Sequence, residues 1–320
     1  MNVLITGGTG VNGAATARLL VSEKIRPVLL DNRADISLIR DIRDHVELVE
    51  GDVLSPELLA QVVKDYRVTH IAHLAALMPG PAEANPRLAV RVSIDGTVNV
   101  LETARSCGIH RVVFTSSKAV YGEFLGKFGP PDFIPVAEDH PTNPADLYGV
   151  IKVCCEDIGS YSRTRYGVEF VALRFSTIYG PGKEARHGAY SFYGQLIEKV
   201  MSGEEVRLAE GGDQLNDTVY VGDVARAILC ALRAEGLKQW VFNIGSGKGS
   251  TPREFGRVLK DMFPESKLEM GPGQSSLGRT KQSYCIFDIA AARAHLGYDP
   301  LYDVEGGVRD YVQTIRRLRG

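Results

Sequence analysis

The feature that most constrains this sequence is a run of glycines near its start. The segment TGGTGVNG at 6–13 directly follows a short apolar run, VLIT, that is typical of a buried strand. Gly8, Gly10 and Gly13 fit the spacing G-x-G-x-x-G, and Gly7, Gly10 and Gly13 fit the tighter G-x-x-G-x-x-G. Glycines let the backbone turn sharply and approach a pyrophosphate without a Cβ in the way, while the following helix points its N-terminus at the anion. The pattern therefore predicts a dinucleotide-binding turn.

The rest of the first half alternates short apolar runs with helical patterns, as a parallel sheet built from βαβ units requires. The nearly continuous apolar runs are typical of strands buried on both faces. We predict strands over 3–6, 27–30, 46–51, 70–76, 111–117 and 169–176, and helices over 13–22, 56–65, 86–107 and 147–166. These patterns predict an α/β fold, a doubly wound parallel sheet of Rossmann type with a smaller C-terminal substrate-binding domain.

The alternation loosens in the second half, where glycine- and proline-containing loops appear. We expect residues 1–174 to form the NAD-binding domain and residues 175–320 to form mainly the substrate-binding domain. Apolar runs at 217–221 and 240–246 resemble sheet strands again, so we expect the segment 217–246 to return to the first domain.

A carboxylate at the end of the second predicted strand bears on the choice of cofactor. Asp31 comes eighteen residues after the last glycine of the turn, where it can hold the ribose hydroxyls of an adenosine. It would repel a 2′-phosphate, which favours NAD, although Arg33 keeps NADP open as the alternative. Asp52, after the third strand, is placed to reach the adenine amino group, and Ala75 and Ala76 leave space beside the cofactor.

Composition and charge argue against several other classes of function. The 37 Lys and Arg are interspersed with 39 Asp and Glu, so the chain lacks the basic footprint of a nucleic-acid-binding protein. No apolar run is long enough to span a bilayer, and the first strand begins directly after Met1, so we expect a cytoplasmic protein. The 5 cysteines and 7 histidines have spacings that fit no disulfide framework or metal site, and we predict no metal.

A set of short motifs extends this pattern along nearly the whole chain. They are TGGTGVNG, Asp31-Asn32, Gly51-Asp52-Val53, LAA (74–76), GTVN (96–99), TSSKAVYG (115–122), Tyr148-x-x-x-Lys152, LRFSTIYGPG (173–182), VYVGDVARA (219–227) and FNIGSG (242–247). With these motifs, in this order, the chain resembles the extended short-chain dehydrogenase/reductase family, which includes nucleotide-sugar epimerases, dehydratases and decarboxylases. The resemblance implies an enzyme with NAD as its cofactor.

The resemblance also implies a catalytic set of Ser117, Tyr148 and Lys152. Tyr148 and Lys152 are four residues apart and share one face of the predicted helix. A free tyrosine has a pKa near about 10, and we expect the neighbouring ammonium and a cationic nicotinamide to lower it. Tyr148 would then take the proton of a substrate hydroxyl while hydride leaves the same carbon for the nicotinamide. Lys152 would hold the nicotinamide ribose, and Ser117 would hydrogen-bond the reacting oxygen.

The full sets of predicted binding residues combine the sequence reasoning with this resemblance. The predicted cofactor-binding residues are Gly7, Gly10, Val11, Asn12, Gly13, Asp31, Asn32, Arg33, Asp52, Val53, Leu74, Ala75, Ala76, Ser93, Thr115, Tyr148 and Lys152. The predicted substrate-binding residues are Ser117, Lys118, Tyr148, Arg174, Thr177, Asn216 and Arg279.

Two departures from the family's pattern bear on the reaction and on the substrate. The related dehydratases carry an Asp-Glu pair directly after the catalytic Ser or Thr, whereas this chain has Lys118-Ala119, so dehydration is disfavoured. Asn216 stands where nucleotide-sugar enzymes usually carry an Arg against the diphosphate, and a neutral amide cannot replace that bidentate contact. An unphosphorylated sugar, a sugar acid or another hydroxy compound therefore stays an alternative substrate.

The leading hypothesis is an NAD-dependent sugar epimerase, acting on a nucleotide sugar at its 4-position by transient hydride transfer. The main alternative is a net NAD-dependent dehydrogenase of a small non-nucleotide sugar, sugar acid or hydroxy acid. A third is a non-catalytic NAD-sensing protein, against which the intact catalytic set argues. Family members pack the helices corresponding to 86–107 and 147–166 into a four-helix dimer interface, so the resemblance implies a homodimer.

Overall fold

The structure, a computed structural model, describes residues 1–184, 191–277 and 281–319. The strands are β1 (Val3–Thr6), β2 (Val28–Asp31), β3 (Glu47–Glu50), β4 (His70–His73), β5 (Arg111–Ser117), β6 (Phe170–Phe175), β7 (Thr177–Tyr179), β8 (Val206–Leu208), β9 (Asn216–Tyr220), β10 (Val241–Ile244), β11 (Gly249–Ser250) and β12 (Leu268–Met270). The α-helices are α1 (Val11–Ser22), α2 (Pro56–Asp65), α3 (Pro79–Ala84), α4 (Pro86–Val90), α5 (Gly96–Cys107), α6 (Leu147–Tyr166), α7 (Phe192–Met201), α8 (Val221–Arg233), α9 (Pro252–Met262) and α10 (Val304–Arg319).

Seven of the strands form one parallel sheet in the order β10-β6-β5-β4-β1-β2-β3. The chain runs outward from β1 to β3 on one side and from β4 to β6 on the other. Neighbouring strands β1 and β4 therefore form the switch point, where the loops at their carboxyl ends separate and leave a ligand crevice. This topology confirms the predicted doubly wound sheet of Rossmann type.

The sheet separates two hydrophobic cores, because successive residues of a strand point to opposite faces. Val3 and Ile5 of β1 are buried in one core, together with side chains of α1 and α8. Leu4, between them, belongs to the other core, with side chains of α2, α5 and α6. Fully burying a side chain of this size contributes about 1.5–3 kcal/mol, so strands buried on both faces bind both helix layers to the sheet.

The predicted helices form, and local residues explain where they end. Gly108 and Gly167 follow α5 and α6 in the left-handed conformation, with φ of 68° and 71°, which glycine adopts at little cost. Asp146 begins α6, and its carboxylate accepts a hydrogen bond from Gly149 N at 2.8 Å. The predicted helix 86–107 is interrupted by a π-helical turn, Arg91–Asp95, that joins α4 to α5.

The later strands divide between separate sheets. The apolar run at 240–246 contains β10, which extends the seven-stranded sheet beside β6. The run at 217–221 also forms a strand, but β9 pairs with β7 and β11 in a three-stranded sheet. Asp217 in β9 connects the three-stranded sheet to the segment that follows β10 of the large sheet. Its carboxylate accepts hydrogen bonds from Ser246 N at 2.8 Å and from Phe287 N at 3.1 Å. The division near residue 174 into two domains stays a prediction.

Three observations concern the parts of the chain that the structure describes. No helix there combines the length and the apolar character needed to cross a membrane. No group of three or more His, Cys, Asp or Glu side chains in those parts could hold a metal ion. The five cysteines are free thiols, and two of them, Cys155 and Cys285, are buried.

Candidate active site

The glycine turn between β1 and α1 leaves no room for side chains. A Cβ on Gly13 would lie 2.3 Å from the carbonyl oxygen of Gly7, and a Cβ on Gly8 would lie 2.6 Å from Cβ of Leu29. Gly7 has a φ of +67°, a region that favours glycine. Gly10 is the N-cap of α1, so the first N–H groups of the helix point out of the turn. The turn thus fits the pyrophosphate of a dinucleotide, which needs close backbone approach and N–H donors.

Two carboxylates lie beside this turn, at the carboxyl ends of β2 and β3. Asp31 accepts hydrogen bonds from the backbone N–H groups of Thr9 at 3.1 Å and Arg33 at 3.3 Å. Asp52 accepts one from Leu54 N at 3.0 Å. These bonds fix both carboxylates while leaving them partly exposed, so they can accept further hydrogen bonds from a ribose and an adenine.

A cavity of about 410 Å³ begins next to the turn and extends past the ends of β4, β5 and β6. Of the residues predicted from the sequence, those that line it are Asn12, Leu74, Ala76, Thr115, Ser117, Lys118, Tyr148, Lys152 and Thr177. The structure therefore brings cofactor, catalytic and substrate candidates to the wall of one cavity.

The other predicted cofactor residues lie after the first four strands and on the π-helical turn. They are Gly7, Gly10, Val11, Gly13, Asp31, Asn32, Arg33, Asp52, Val53, Ala75 and Ser93. Ser93 is buried, and its carbonyl oxygen accepts hydrogen bonds from Thr97 Oγ1 at 2.6 Å and Cys155 Sγ at 3.3 Å. The π-helical turn that carries Ser93 is thereby fixed to α5 and α6, since Thr97 and Cys155 lie on those helices.

The three predicted catalytic residues meet where β5 ends against α6. Lys152 Nζ donates a hydrogen bond to Thr115 O at 2.6 Å and lies 5.5 Å from the centroid of the Tyr148 ring. Ser117 lies close enough to the Tyr148 phenol to lower its pKa, and Ser117 Oγ accepts a hydrogen bond from Ala119 N at 3.2 Å. A substrate hydroxyl in the cavity can therefore contact Ser117 and Tyr148 together.

The protonation of this set differs from the sequence expectation, in which the ammonium lowers the pKa of the tyrosine. Burial raises the pKa of Tyr148 to about 12, and the hydrogen bond from Ser117 opposes that rise without reversing it. Burial also lowers the pKa of Lys152 to about 8. Desolvation disfavours the charged form of both groups, so the protein alone keeps Tyr148 neutral. A cation bound beside the phenol is the remaining means of favouring the phenolate.

Arg174 is absent from the residues that line the cavity, although we predicted a substrate contact for it. Its guanidinium forms a buried, bidentate ion pair with Glu156, with N–O distances from 2.6 to 3.2 Å. It also donates to Tyr121 Oη at 2.9 Å, and Ser116 Oγ donates to the same carboxylate at 2.5 Å. These contacts place Arg174 between α6 and the sheet, with its hydrogen-bonding capacity used inside the protein.

Lys118 and Thr177 line the far end of the cavity, whereas Asn216, also predicted to contact substrate, lies behind them and is not among the lining residues. Lys118 Nζ donates to Thr177 Oγ1 at 2.7 Å and to Asn216 Oδ1 at 3.4 Å. Asn216 is fully buried, and its Nδ2 donates to the same Thr177 oxygen at 2.9 Å. Arg279, which was also predicted to bind the substrate, lies outside the described residues.

The structure also reveals supporting residues that the sequence reasoning did not assign to the site. His73 is buried, with its ring nitrogens 2.7 Å from Thr6 Oγ1 and 3.0 Å from Thr97 Oγ1. Burial and the nearby Lys152 ammonium lower the pKa of His73 to about 3, so its ring is neutral and connects β1 to α5. Met78, Pro79, Phe175, Ser176 and Ser283 also line the cavity. Phe175 and Ser176 belong to the motif at 173–182, but no spacing or motif marks His73, Met78, Pro79 or Ser283. Only the pairing of β1 with β4 places Thr6 opposite His73.

Known proteins share this architecture over the whole chain. The model of the NAD dependent epimerase/dehydratase family matches residues 3–245. The chain is 30% identical over 320 residues to the putative UDP-glucose 4-epimerase of Methanocaldococcus jannaschii, covering 98% of each. The UDP-glucose 4-epimerase of Thermotoga maritima, solved with UDP-glucose, has a TM-score of 0.84 at 26% identity and covers 100% of both chains. The UDP-glucose 4-epimerase of Thermus thermophilus, solved with NAD, has a TM-score of 0.81 at 27% identity and covers 99% of both.

These findings confirm the predicted resemblance to extended short-chain dehydrogenases/reductases, and with it the predictions of an enzyme and of NAD as its cofactor. The glycine turn supports the cofactor independently, since a Cβ at Gly13 would lie 2.3 Å from Gly7 O, and the third glycine of a dinucleotide-binding turn is needed for such close packing of helix on strand. The chain belongs to the NAD dependent epimerase/dehydratase family.

Proposed function

We propose that this enzyme is a nucleotide-sugar 4-epimerase that inverts one carbinol centre of its substrate. The observation that carries the proposal is the meeting of Ser117, Tyr148 and Lys152 in one cavity that also reaches Asn12 of the glycine turn. That arrangement supports a reaction in which the carbon to be inverted would lie between the catalytic set and the cofactor. Relatives that cover nearly the whole chain are named UDP-glucose 4-epimerases, which supports a nucleotide sugar as the substrate.

The proposed reaction divides the work between cofactor and protein. NAD, when bound, supplies the hydride acceptor that takes up and returns the hydrogen of the reacting carbon. Gly7, Gly10 and Gly13 would give its pyrophosphate a close approach to the backbone, and Asp31 would bind its adenosine ribose. The protein thereby fixes the position of the cofactor against the cavity before any proton moves.

Tyr148 acts as the base and then as the acid. It takes the proton of the substrate hydroxyl, and it gives the proton back when the same oxygen becomes a hydroxyl again. Ser117 donates a hydrogen bond to that oxygen, whether it is a hydroxyl or a carbonyl. Lys152, held by its hydrogen bond to Thr115 O, would bind the nicotinamide ribose. Inversion requires the keto sugar to present its other face before the hydrogen returns, and the cavity of about 410 Å³ encloses that motion.

Elimination of water, the reaction of related dehydratases, needs a separate acid and base next to the catalytic serine. Lys118 and Ala119 follow Ser117 directly, and neither can act as a carboxylic acid. Asp146 is the one carboxylate among the described residues that line the cavity, and it caps α6 through Gly149 N. These side chains favour epimerisation over dehydration.

The test is to incubate the purified enzyme with UDP-glucose, UDP-galactose and their uronate and N-acetyl counterparts in the presence of trace NAD. Proton NMR of the anomeric signals follows the conversion, and absorbance follows NADH. We expect one epimer pair to reach equilibrium from both sides with no net NADH. No conversion of any nucleotide sugar, or one NADH formed per substrate consumed, would refute the proposal.

A second candidate is net oxidation of a small sugar acid or hydroxy acid. Asn216 favours it, because this buried amide is uncharged and its side chain is bonded to Lys118 and Thr177. A diphosphate would then have to be bound by other groups. Replacing the nucleotide sugars with free sugar acids in the same assay, with stoichiometric NAD, measures this activity directly.

We also propose a homodimer formed through α4, α5 and α6, and a cytoplasmic location stays a prediction. Exposed apolar side chains on these helices support the dimer: Leu88, Val90, Val98, Val150 and Tyr161. Light scattering on the peak that elutes from a size-exclusion column should give twice the chain mass for the wild type. The Val150→Glu variant should give the mass of one chain. A wild-type peak at the monomer mass would refute this assembly.

A further inference from the structure

His73 is a buried histidine at the end of β4, next to the strand that leads into the glycine turn. Its Nδ1 lies 2.7 Å from Thr6 Oγ1, and its Nε2 lies 3.0 Å from Thr97 Oγ1. Burial and the nearby Lys152 ammonium lower the pKa of the ring to about 3, so one ring nitrogen carries a hydrogen and the other accepts one. The partners of the two threonine hydroxyls determine which nitrogen is which.

Thr6 determines the role of Nδ1. Its Oγ1 accepts hydrogen bonds from Leu74 N at 3.2 Å and from Ala75 N at 3.3 Å. A hydroxyl oxygen has two lone pairs and one hydrogen, so these two bonds use both of its lone pairs. Within the described part of the chain, His73 Nδ1 is the one acceptor in reach of the remaining Thr6 hydrogen. Nδ1 is therefore the nitrogen without a hydrogen.

Thr97 determines the role of Nε2 in the same way. Its hydroxyl donates to Ser93 O at 2.6 Å, and a longer contact with Cys155 Sγ at 3.5 Å competes for the same hydrogen. In either case Thr97 Oγ1 presents a lone pair to the ring, and Nε2 must be the donor. The reverse tautomer would give Thr6 Oγ1 three donors and leave its own hydrogen without an acceptor.

The Thr6 hydroxyl joins the glycine turn to the end of β4. Thr6 directly precedes Gly7, and a Cβ on Gly7 would lie 3.0 Å from Ala75 N, so the two segments approach closely. The bonds from Leu74 N and Ala75 N to Thr6 Oγ1 hold this approach. Leu74 also lines the catalytic cavity. The orientation of one hydroxyl, which His73 sets, therefore affects the shape of the cofactor end of the cavity.

The main chain of His73 extends the same network to the catalytic lysine. Thr115 Oγ1 donates to His73 O at 3.3 Å, and Lys152 Nζ donates to Thr115 O at 2.6 Å. Buried networks in which every member is satisfied hold their groups rigidly. His73 thus lies between the glycine turn and the ammonium that is expected to bind the nicotinamide ribose.

We infer that His73 is a positioning residue for the cofactor, acting as its Nε2–H tautomer in a hydrogen-bond relay that runs from Thr6 through His73 to Thr97 and Ser93 O. The relay turns both lone pairs of the Thr6 hydroxyl toward the end of β4. Its effect on NAD passes through the glycine turn and β4. The inference depends on NAD as the cofactor and not on the identity of the substrate.

The tautomer is measured by proton–nitrogen NMR of the histidine rings in cofactor-free enzyme labelled with nitrogen-15 histidine. The signals of His73 are those, among the 7 histidines, that disappear in His73→Asn. We expect Nδ1 without a hydrogen and Nε2 with one, at neutral and at mildly acidic pH. A hydrogen on Nδ1, or a ring with hydrogens on both nitrogens, would overturn the inference.

The positioning role is measured by calorimetric titration of the variants with NAD. His73→Leu keeps an apolar side chain of similar size and removes both ring nitrogens, whereas the amide oxygen of His73→Asn can still accept from Thr6. We expect NAD affinity to fall about tenfold in His73→Leu, the value of one or two neutral hydrogen bonds, and to recover largely in His73→Asn. His45→Leu, which removes an exposed histidine, is the matched control. Melting temperature reports whether each variant is folded.

A merely structural histidine would give a different result. His73→Leu would then melt at a lower temperature but bind NAD within about threefold of the wild type, less than the loss of one or two hydrogen bonds, and that outcome overturns the inference. An equal loss of NAD affinity in His73→Leu and His73→Asn overturns it as well. If His73→Leu does not fold, Thr6→Val against Thr6→Ser replaces the pair, with the same expected ratio. Failure of the enzyme to convert any nucleotide sugar leaves these measurements unaffected.

Discussion

The two ends of the catalytic cavity are built in different ways. The cofactor end consists of the backbone of the glycine turn that joins β1 to α1, and of two carboxylates that backbone N–H groups fix at the ends of neighbouring strands. The substrate end is made of side chains, with Lys118 bonded to Thr177, Asn216 and the carbonyl of Ser283, which lies 165 residues away along the chain. Local sequence determines the first end, and tertiary packing determines the second.

This difference predicts which function each substitution should affect. Changes at the glycine turn should affect cofactor affinity, and changes around Lys118 should affect substrate affinity. The catalytic set lies where the two ends meet, so its loss should stop turnover while both affinities remain.

The largest effect is expected for Tyr148→Phe. Removing the phenol oxygen deletes the acid and base, and such groups contribute about 10²- to 10⁴-fold to a rate. We expect turnover to fall by about three orders of magnitude in the NMR assay, within that range, while NAD affinity measured by calorimetry changes little. Tyr166→Phe is the matched control, because Tyr166 is an exposed tyrosine on the same helix. If the Tyr148→Phe variant keeps its turnover, Tyr148 is not the catalytic base.

The next effect in size is expected for Gly13→Ala. The new Cβ would lie 2.3 Å from Gly7 O, a backbone atom that cannot move aside without opening the turn. We expect NAD affinity to fall about 100-fold, the loss of roughly two hydrogen bonds to charged groups, with UDP affinity retained. Gly80→Ala is the control, since no atom lies within 4 Å of its added Cβ. Equal loss of NAD and UDP binding would break the separation between the two ends.

A smaller effect should follow from Asp31→Asn. The amide oxygen can keep only one of the bonds from Thr9 N and Arg33 N, which reach different oxygens of Asp31, and the neutral side chain no longer repels a 2′-phosphate. The ratio of NADP to NAD affinity should rise about tenfold, the value of one surface charge pair at close range. Fluorescence titration with each cofactor gives the ratio, and an unchanged ratio would show that Asp31 does not determine the preference for NAD over NADP.

The smallest effect concerns stability as a function of pH in cofactor-free enzyme. Burial lowers the folded-state pKa of Lys152 from 10.5 to about 8, so between these values the unfolded chain holds more protons than the folded one. Stability must then rise with pH across that window relative to Lys152→Met, by at least about 1 kcal/mol. Urea unfolding of both proteins between pH 7 and pH 10 measures the difference. If the stability difference between the two proteins stays constant or falls as the pH rises, the lowered pKa of Lys152 is wrong.

Residues with a local physical reason were predictable from the sequence. The glycine turn follows from its spacing, and the ends of α5 and α6 follow from Gly108 and Gly167, whose left-handed backbone favours glycine. The parallel sheet of Rossmann type followed from the alternation of apolar runs and helical patterns. In each case the structure depends on residues that are close together in the sequence, so local steric rules were enough to predict it.

Residues whose role depends on a distant partner were not predictable in the same way. Arg174 was expected to bind substrate, but Glu156, on the neighbouring helix, holds its guanidinium inside the protein. The run containing Asp217 was predicted as a strand, but its partners β7 and β11, which are distant in sequence, could not be read from its own pattern. Lys118 is visible as the neighbour of Ser117, yet its contacts with Thr177 and Asn216 appear only after folding.

The most direct test of the account follows the hydrogen on the inverted carbon. A nucleotide sugar that carries deuterium at C4 is incubated with enzyme and trace NAD until both epimers are present, and the product is examined by NMR and mass spectrometry. The account predicts that the product epimer keeps the deuterium and that NADH does not accumulate, because the cavity retains the keto sugar between the two transfers. Loss of deuterium from the product, or one equivalent of NADH per substrate consumed, would contradict it.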